Sequence, residues 1–286
     1  MELLLESTPL LLAGVFLLGT LIGSFLNVVI LRLPPRLEHD WRCQCRELLE
    51  IEEEQQPPPG IVASRSRCPH CGHTIAPWEN IPLISYLLLK GKCSSCKARI
   101  SIRYPVVEAA TAILFTIAIA HFGPTLAGAA ALLLTAFQVA MTGIDIDHQL
   151  LPDNLTLPLL WGGIVLSFWN VYTDLNSSVI GAVAGYLVLW TIYHAFRLLT
   201  GKEGMGYGDF KLLGALGAWL GWQMLPLIIL LSSVVGAIVG IALMAAGRMK
   251  NETPMPFGPF IAAAGWIALI WGERIMDYYG RSGGFG

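Results

Sequence analysis

The chain has 286 residues, of which 55% are hydrophobic and 13% charged, whereas soluble domains carry about 25% charged residues. Together with a mean hydropathy of +0.61, this excludes an ordinary soluble domain and indicates a polytopic membrane protein. The net charge of -2, with no basic tract beyond loop charges, leaves no footprint for nucleic acid.

Residues 10–30 are nearly all apolar, but Glu2 and Glu6 precede them and the first basic residue is Arg32. A secretory signal needs a basic flank on its N-terminal side, so a retained span is expected. Apolar runs of roughly 17–25 residues mark spanning helices. They fall at 9–31, 105–122, 124–144, 154–172, 178–199, 210–222, 224–246 and 257–272, the sixth short enough to be tilted or half-buried against protein. The expected fold is therefore an all-α polytopic membrane protein of about eight transmembrane helices. Its expected parts are a first span (1–31), a cytoplasmic loop domain (32–103), a membrane helical bundle (104–275) and a C-terminal tail (276–286), of which 281–286 is expected to be disordered. No repeats are evident, and nothing fixes the oligomeric state.

Eight spans put both termini on one side. Eleven of the 18 Lys and Arg residues lie in 32–103, Arg197, Lys202 and Lys211 flank the loop at 200–208, and Arg248 and Lys250 follow the seventh span. Only Arg274 and Arg281 fall on the other side. The positive-inside rule makes the long loop cytoplasmic and both termini external. The loops at 145–153 and 201–208 then share one face, and Asp145 and Asp209 can lie at the same depth.

Near the end of the first span, Gly23 and Ser24 allow close helix packing, and Asn27 needs a partner inside the membrane. An interhelical hydrogen bond is the simpler role for Asn27, a substrate contact the alternative. Residues 46–59, rich in Glu, Gln and Pro, read as a mobile hydrophilic insert. Cys68-Pro69-His70-Cys71 and Cys93-Ser94-Ser95-Cys96 follow. Two such pairs across a short turn-rich segment suit one tetrahedral zinc ion on four thiolates, structural because no coordination position stays open. Disulfides are the alternative, disfavoured in a reducing cytoplasm. Cys43 and Cys45 have no assigned role.

Between the pairs, residues 82–89 are apolar but too short to span, and are expected on the membrane surface or beneath the zinc knuckle. Glu108 lies just inside the second span, where an acid needs a donor or a proton; a structural pairing and a site role are both open. Asp145 is the first acid after the third apolar run. Asp147, two residues on, points roughly 200° away on a helix. His148 reads as interfacial, and Asp153 is placed to cap the fourth span. In Gly206-Tyr207-Gly208-Asp209, the glycines permit close backbone approach. The acid is either a helix N-cap or a functional carboxylate at a membrane boundary.

Two carboxylates sharing a site cannot both ionise easily, so one keeps a proton. Such a pair hydrolyses a peptide bond without a covalent intermediate: one activates water, the other polarises the scissile carbonyl. At a membrane boundary the substrate would be a membrane helix cut near its cytoplasmic end. No Walker, zincin or Gly-x-Ser-x-Gly pattern offers other chemistry.

Several motifs together resemble one family. They are Gly23-Ser24-Phe25-Leu26-Asn27-Val28-Val29 with Arg32-Leu33-Pro34, the two Cys-x-x-Cys pairs, and Arg103-Tyr104-Pro105-x-Val107-Glu108. Asp145-x-Asp147 with Leu151-Pro152-Asp153, and Gly206-x-Gly208-Asp209, complete the set. Over about residues 20–265, and in the family's order, these look like the bacterial type IV prepilin peptidases. The Gly-x-Gly-Asp element alone is shared with other intramembrane aspartyl proteases. Cys43 and Cys45 depart from the pattern and leave additional zinc ligands open.

The resemblance implies cleavage of the leader of prepilins and pseudopilins at the cytoplasmic face of the bacterial inner membrane. It assigns Asp145 and Asp209 as catalytic, with Gly206, Gly208, Glu108 and Asn27 in support. It further implies N-methylation of the new N-terminal residue, usually Phe, by S-adenosylmethionine. That activity is associated with the cysteine-bearing loop at 32–103, with Gly91 and Lys92 as candidate cofactor-site residues. Two other readings stand beside it: an ion- or proton-coupled transporter using the intramembrane aspartates, and a non-catalytic pilus assembly scaffold.

Overall fold

The structure is a computed structural model that describes residues 8–51, 56–62, 64–202, 204–247 and 255–282. Arg248 and Lys250, residues 52–55 of the hydrophilic insert and 283–286 of the tail lie outside the described residues. Among the described residues the regular elements are helical and no strand forms. They are α1 (Thr8–Leu48), α2 (Ile84–Leu88), α3 (Arg103–Phe122), α4 (Leu126–His148), α5 (Asp153–Ser167), α6 (Leu175–Thr200), α7 (Tyr207–Leu220), α8 (Leu225–Ala245) and α9 (Gly258–Ser282). Short 3₁₀ turns occupy Pro77–Asn80 and Trp222–Met224.

Among the described residues, five segments are long and apolar enough to cross a membrane: α1, α3, α4, α6 and Trp222–Ala245. The other three expected spans differ. The fourth run stops at Ser167, before Asn170 takes a left-handed φ of 51°. With 15 and 14 residues, α5 and α7 reach only about 21–23 Å, against a hydrocarbon core of about 30 Å. The 25-residue α9 carries Glu273, Arg274 and Asp277 in its second half.

The chain divides into two compact units between Pro124 and Thr125. In the first, α1 and α3 cross closely at Gly19 and Gly23. A Cβ at these positions would lie 2.5 Å from Ala112 Cα and 2.7 Å from Glu108 Cα, so only hydrogen fits. The helix does not end with the apolar run at residue 31. It continues through Pro34 and Pro35 to Leu48. The prolines remove two N–H donors, but residues 36–48 are free of glycine and rich in the helix formers Arg, Leu and Glu.

In the second unit, α7 is the buried element. Of its residues, Asp209, Phe210 and 212–220 are all buried, between α5 and α6. A Cβ on Gly181 would fall 2.2 Å from Gly217 O, so α6 meets α7 backbone to backbone. Ser178 Oγ donates to Ala218 O at 2.6 Å, and Trp219 Nε1 donates to Leu159 O at 2.7 Å. The short sixth run is thus packed against protein. By contrast, α6 turns Val183 and Leu187 outward, and α8 turns Leu230, Val234, Ile238 and Ile241 outward. Such apolar surface fits lipid contact.

Candidate active site

Helix α4 runs unbroken through Asp145, Ile146 and Asp147 to His148, and stops where Gln149 adopts a left-handed conformation. Helical phase therefore separates the two acids. Asp145 is 5% exposed, whereas Asp147 and His148 lie on the exposed face. The Gly258 N–H, at the first residue of α9, donates to Asp145 Oδ2 at 3.0 Å. This is one of the amides a helix leaves unpaired at its start, where the dipole is positive.

Asp209 is 7% exposed and is the third residue of α7, not its cap. Gly206 holds the N-cap position, and the Asp209 N–H donates to Gly206 O at 3.2 Å. The Asp209 carboxylate is close enough to feel the charge of Asp145. The two glycines of the motif differ in what they do. A Cβ on Gly208 would lie 2.7 Å from Leu151 Cβ, whereas Gly206 has nothing nearer than Asp209 Oδ2 at 3.9 Å. Leu151 also reaches Gly258, where a Cβ would lie 3.1 Å from Leu151 Cδ1 and 2.7 Å from Asp145 Oδ2. One buried leucine thus sits against the backbone beside each aspartate. Tyr207, Tyr193 and Phe210 stack with ring centroids 5.3–5.6 Å apart, and this fixes the first turn of α7 on α6.

Asp153 does not cap α5; Pro152 holds that position and Asp153 lies in the first turn. Its carboxylate is half exposed and accepts from Lys211 Nζ at 2.6 Å, a tie between α5 and α7 away from the buried pair. Two turns before Asp145, Gln138 Nε2 donates to Ala262 O at 3.1 Å and locks α4 to α9. Gly258 and Gln138 carried no signal in the sequence, because their partners lie far along the chain.

In the first unit, the ligand atoms of Cys68, Cys71, Cys93 and Cys96 all lie within 4.8 Å of one another. The Cys68 and Cys96 sulfurs are 3.8 Å apart and unbridged. A tetrahedral ion with zinc–sulfur bonds of about 2.3 Å needs sulfur–sulfur separations of about 3.8 Å, so the donor set fits zinc. Cys43 and Cys45 lie exposed on α1, outside this cluster. The two knuckles have the same build, a short repeat that the differing residues conceal. Arg67 bridges Thr74 as Lys92 bridges Arg99, and Gly72 and Lys97 share a left-handed φ of 71° and 61°. The backbone N–H groups of Cys71 and His70 point at the Cys68 sulfur and bring its thiol down to about 7, favouring the thiolate that a metal requires.

Glu79, in the 3₁₀ turn between the knuckles, clamps both. Its carboxylate meets the Ser94 hydroxyl, accepts the Ala76 N–H at 2.8 Å and faces His73 Nε2 at 3.1 Å. These contacts hold its pKa down to about 2. The apolar stretch at 82–89 folds as α2, with Ile84, Leu87 and Leu88 exposed. Asn27 is 2% exposed and Nδ2 donates to Tyr104 O at 3.1 Å, the expected interhelical bond. Glu108 is buried, and its Oε2 accepts the Leu83 N–H at 2.8 Å. Gly91 forms a left-handed turn after Tyr86, and Lys92 is exposed.

Comparison with known proteins bears on both units. The Bacterial Peptidase A24 N-terminal domain matches residues 17–122, and the Type IV leader peptidase family matches residues 132–241. A prepilin leader peptidase/N-methyltransferase of Pseudomonas aeruginosa is 56% identical over 270 residues, covering 94% of this chain and 93% of the relative. The chain belongs to the type IV leader peptidase family. Relatives of the same name from Aeromonas hydrophila and Xanthomonas campestris pv. campestris are 55% and 52% identical. They cover 93% of this chain, and 92% and 93% of their own lengths. No solved structure matches. Within the leader peptidase match lie Asp145, Leu151 and Asp209, while Gly258 lies beyond residue 241. The cysteine cluster, Asn27 and Glu108 lie within the N-terminal match.

Proposed function

We propose that this member of the leader peptidase family cuts the leader from type IV prepilins and pseudopilins and then N-methylates the new N-terminal residue. The observation that carries the reading is the pair of buried aspartates, Asp145 and Asp209, brought to one site in a chain 56% identical to a prepilin leader peptidase/N-methyltransferase. Asp145 and Asp209 are the catalytic pair. The Gly258 N–H fixes Oδ2 of Asp145 and leaves its other oxygen for a water. The ionised carboxylate takes a proton from that water as it adds to the scissile carbonyl, and the protonated partner polarises the carbonyl oxygen. Collapse of the adduct passes a proton to the departing nitrogen and leaves a new terminal amine. Gly206 and Gly208 support the site by bringing Asp209 to the start of α7.

The new amine is the nucleophile of the second reaction. S-adenosylmethionine, if held by residues of the first unit, would supply an electrophilic methyl group for that amine, which would give up a proton, with S-adenosylhomocysteine as the leaving product. This activity is assigned to the first unit, within residues 32–103 and the helices that carry them. Cys68, Cys71, Cys93 and Cys96 hold a structural zinc ion there; their sulfur spacing supports this reading. The spanning helices lie in the bacterial inner membrane, with the cysteine-bearing loop and the aspartates toward the cytoplasm and both termini outside. The charge distribution of the loops supports this orientation.

The experiment is mass spectrometry of a prepilin incubated with purified protein, with and without S-adenosylmethionine. Wild type is expected to remove the leader in both cases and to add a methyl group only with the cofactor. Asp145→Asn and Asp209→Asn are expected to leave the leader in place. Full cleavage by either variant would overturn the assignment of the pair.

A further inference from the structure

Within the first unit, the end of α1, the start of α3 and the two knuckles line a cavity of about 510 Å³, in the range of small-molecule sites, about 300–1,000 Å³. Among the polar side chains from α1 and α3 that line it, Asn27 and Glu108 are more than nine-tenths buried. Asn27 Nδ2 is used by Gly23 O and Tyr104 O at 3.3 and 3.1 Å, but Oδ1 is buried with no partner. Interior acceptors are almost always satisfied, so an orphan in a cavity wall points to a donor on a ligand. Glu108 has Ser24 beside it and accepts the Leu83 N–H. Arg32, whose Nη1 already donates to Gly60 O and Ser64 O at 2.7 Å, and the rings of Tyr86 and Tyr104 also line the space.

This wall suits one kind of occupant. A lipid tail would leave Asn27 Oδ1 unpaired and set Glu108 against hydrocarbon. A simple anion could meet Arg32, Arg67 and Arg99 but has no N–H or O–H to satisfy Asn27 Oδ1 and nothing to offset the Glu108 carboxylate. A sulfonium nucleoside with an amino-acid arm brings positive charge for a carboxylate, N–H and O–H donors for an unpaired amide oxygen, a carboxylate for a guanidinium and a flat base for a tyrosine ring. We propose that this cavity is the S-adenosylmethionine site, with Asn27 and Glu108 among its contacts. The proposal rests on the methyltransferase reading above.

The assignment gives the cysteine cluster and the Gly91 turn a place in the same site. Cys68 and Cys93 themselves line the cavity, so a metal that holds the knuckles also holds its wall. Gly91 and Lys92 lie outside the lining. The Gly91 N–H donates to Tyr86 O at 2.9 Å, and a Cβ there would come 3.0 Å from the Tyr86 ring. The Gly91 turn acts by holding Tyr86 in position.

The test uses full-length protein in nanodiscs, without pilin, and calorimetric titration with S-adenosylmethionine and with S-adenosylhomocysteine. Wild type binds, and Asn27→Leu and Glu108→Gln each weaken binding about tenfold or more, the loss of one good polar contact. Thermal melts establish that the variants are folded. Photolabelling of wild type with radiolabelled S-adenosylmethionine, followed by peptide mapping, places the label within 24–108 independently of any variant. Undiminished binding in both folded variants, or a label confined to residues 125–282, would overturn the site. Absence of binding to wild type would instead overturn the methyltransferase half of the proposed function.

Discussion

Gly258→Ala isolates the geometry of the aspartate pair. An alanine Cβ at this position would lie 2.7 Å from Asp145 Oδ2, 3.2 Å from its Cγ and 3.1 Å from Leu151 Cδ1. Ordinary contact needs about 3.4 Å or more, so the carboxylate must move by about 0.7 Å or rotate away from the Gly258 N–H it accepts at 3.0 Å. The end of a side chain yields easily, so the stability cost is at the low end of overpacking, about 1 kcal/mol. Catalysis is less forgiving: a displacement of about 1 Å costs about 10²-fold. Leader cleavage by purified Gly258→Ala is therefore expected to lose about two orders of magnitude in kcat with a nearly unchanged melt. Gly240→Ala, whose nearest neighbour is Met255 Cε at 3.5 Å, is the matched control and stays active. Wild-type kcat in Gly258→Ala would refute the claim that this amide positions Asp145.

Asp147→Asn and Asp153→Asn are expected to keep most cleavage in the prepilin assay, since one faces outward and the other forms a half-exposed pair with Lys211, worth about 0–1 kcal/mol. Metal analysis of protein purified under reducing, chelator-free conditions is expected to give one zinc per chain, lost in Cys68→Ser; structural zinc contributes about 10–16 kcal/mol in small metal domains. Because Glu79 titrates at about 2 rather than 4.5, its clamp is fully present above about pH 4.5 and is lost as pH falls toward 2. Glu79→Gln, which cannot carry the charge, is expected to release zinc to a chelator faster than wild type at neutral pH, and equal rates would refute the clamp.

The elements legible in the sequence are those whose signal is local. A Cys-x-x-Cys pair makes its own knuckle, and two residues on a helix fix the opposite facing of Asp145 and Asp147. The role of Gly258 was hidden because its partner is 113 residues away. Glu79 looks like a loop acid until the fold sets it between His73 and Ser94. The continuation of α1 to Leu48 was masked by Pro34 and Pro35, which normally end a helix. The short span at 210–222 was legible as apolar, but its burial on three sides depends on where Gly163, Gly181 and Gly185 expose the backbones of α5 and α6 to it.

In the proposed reading, the two chemistries draw on residues from different units. Asp145, Leu151, Asp209 and Gly258 belong to the unit after Pro124, and the cysteine cluster, Asn27 and Glu108 to the unit before it. Methyl transfer needs a neutral amine, which exists only once the leader is gone; an α-amino group titrates at about 7.7–8.0, so a useful fraction is neutral. The reactions are thus ordered by substrate chemistry, and the proposed assignments give them no residue in common. Asp209→Asn is expected to leave a full-length prepilin unmethylated but to methylate a precut pilin supplied with S-adenosylmethionine. The product is weighed by mass spectrometry and compared with wild type on the same precut substrate. If Asp209→Asn melts normally yet adds no methyl group to precut pilin, Asp209 serves both reactions and the separation by unit is wrong.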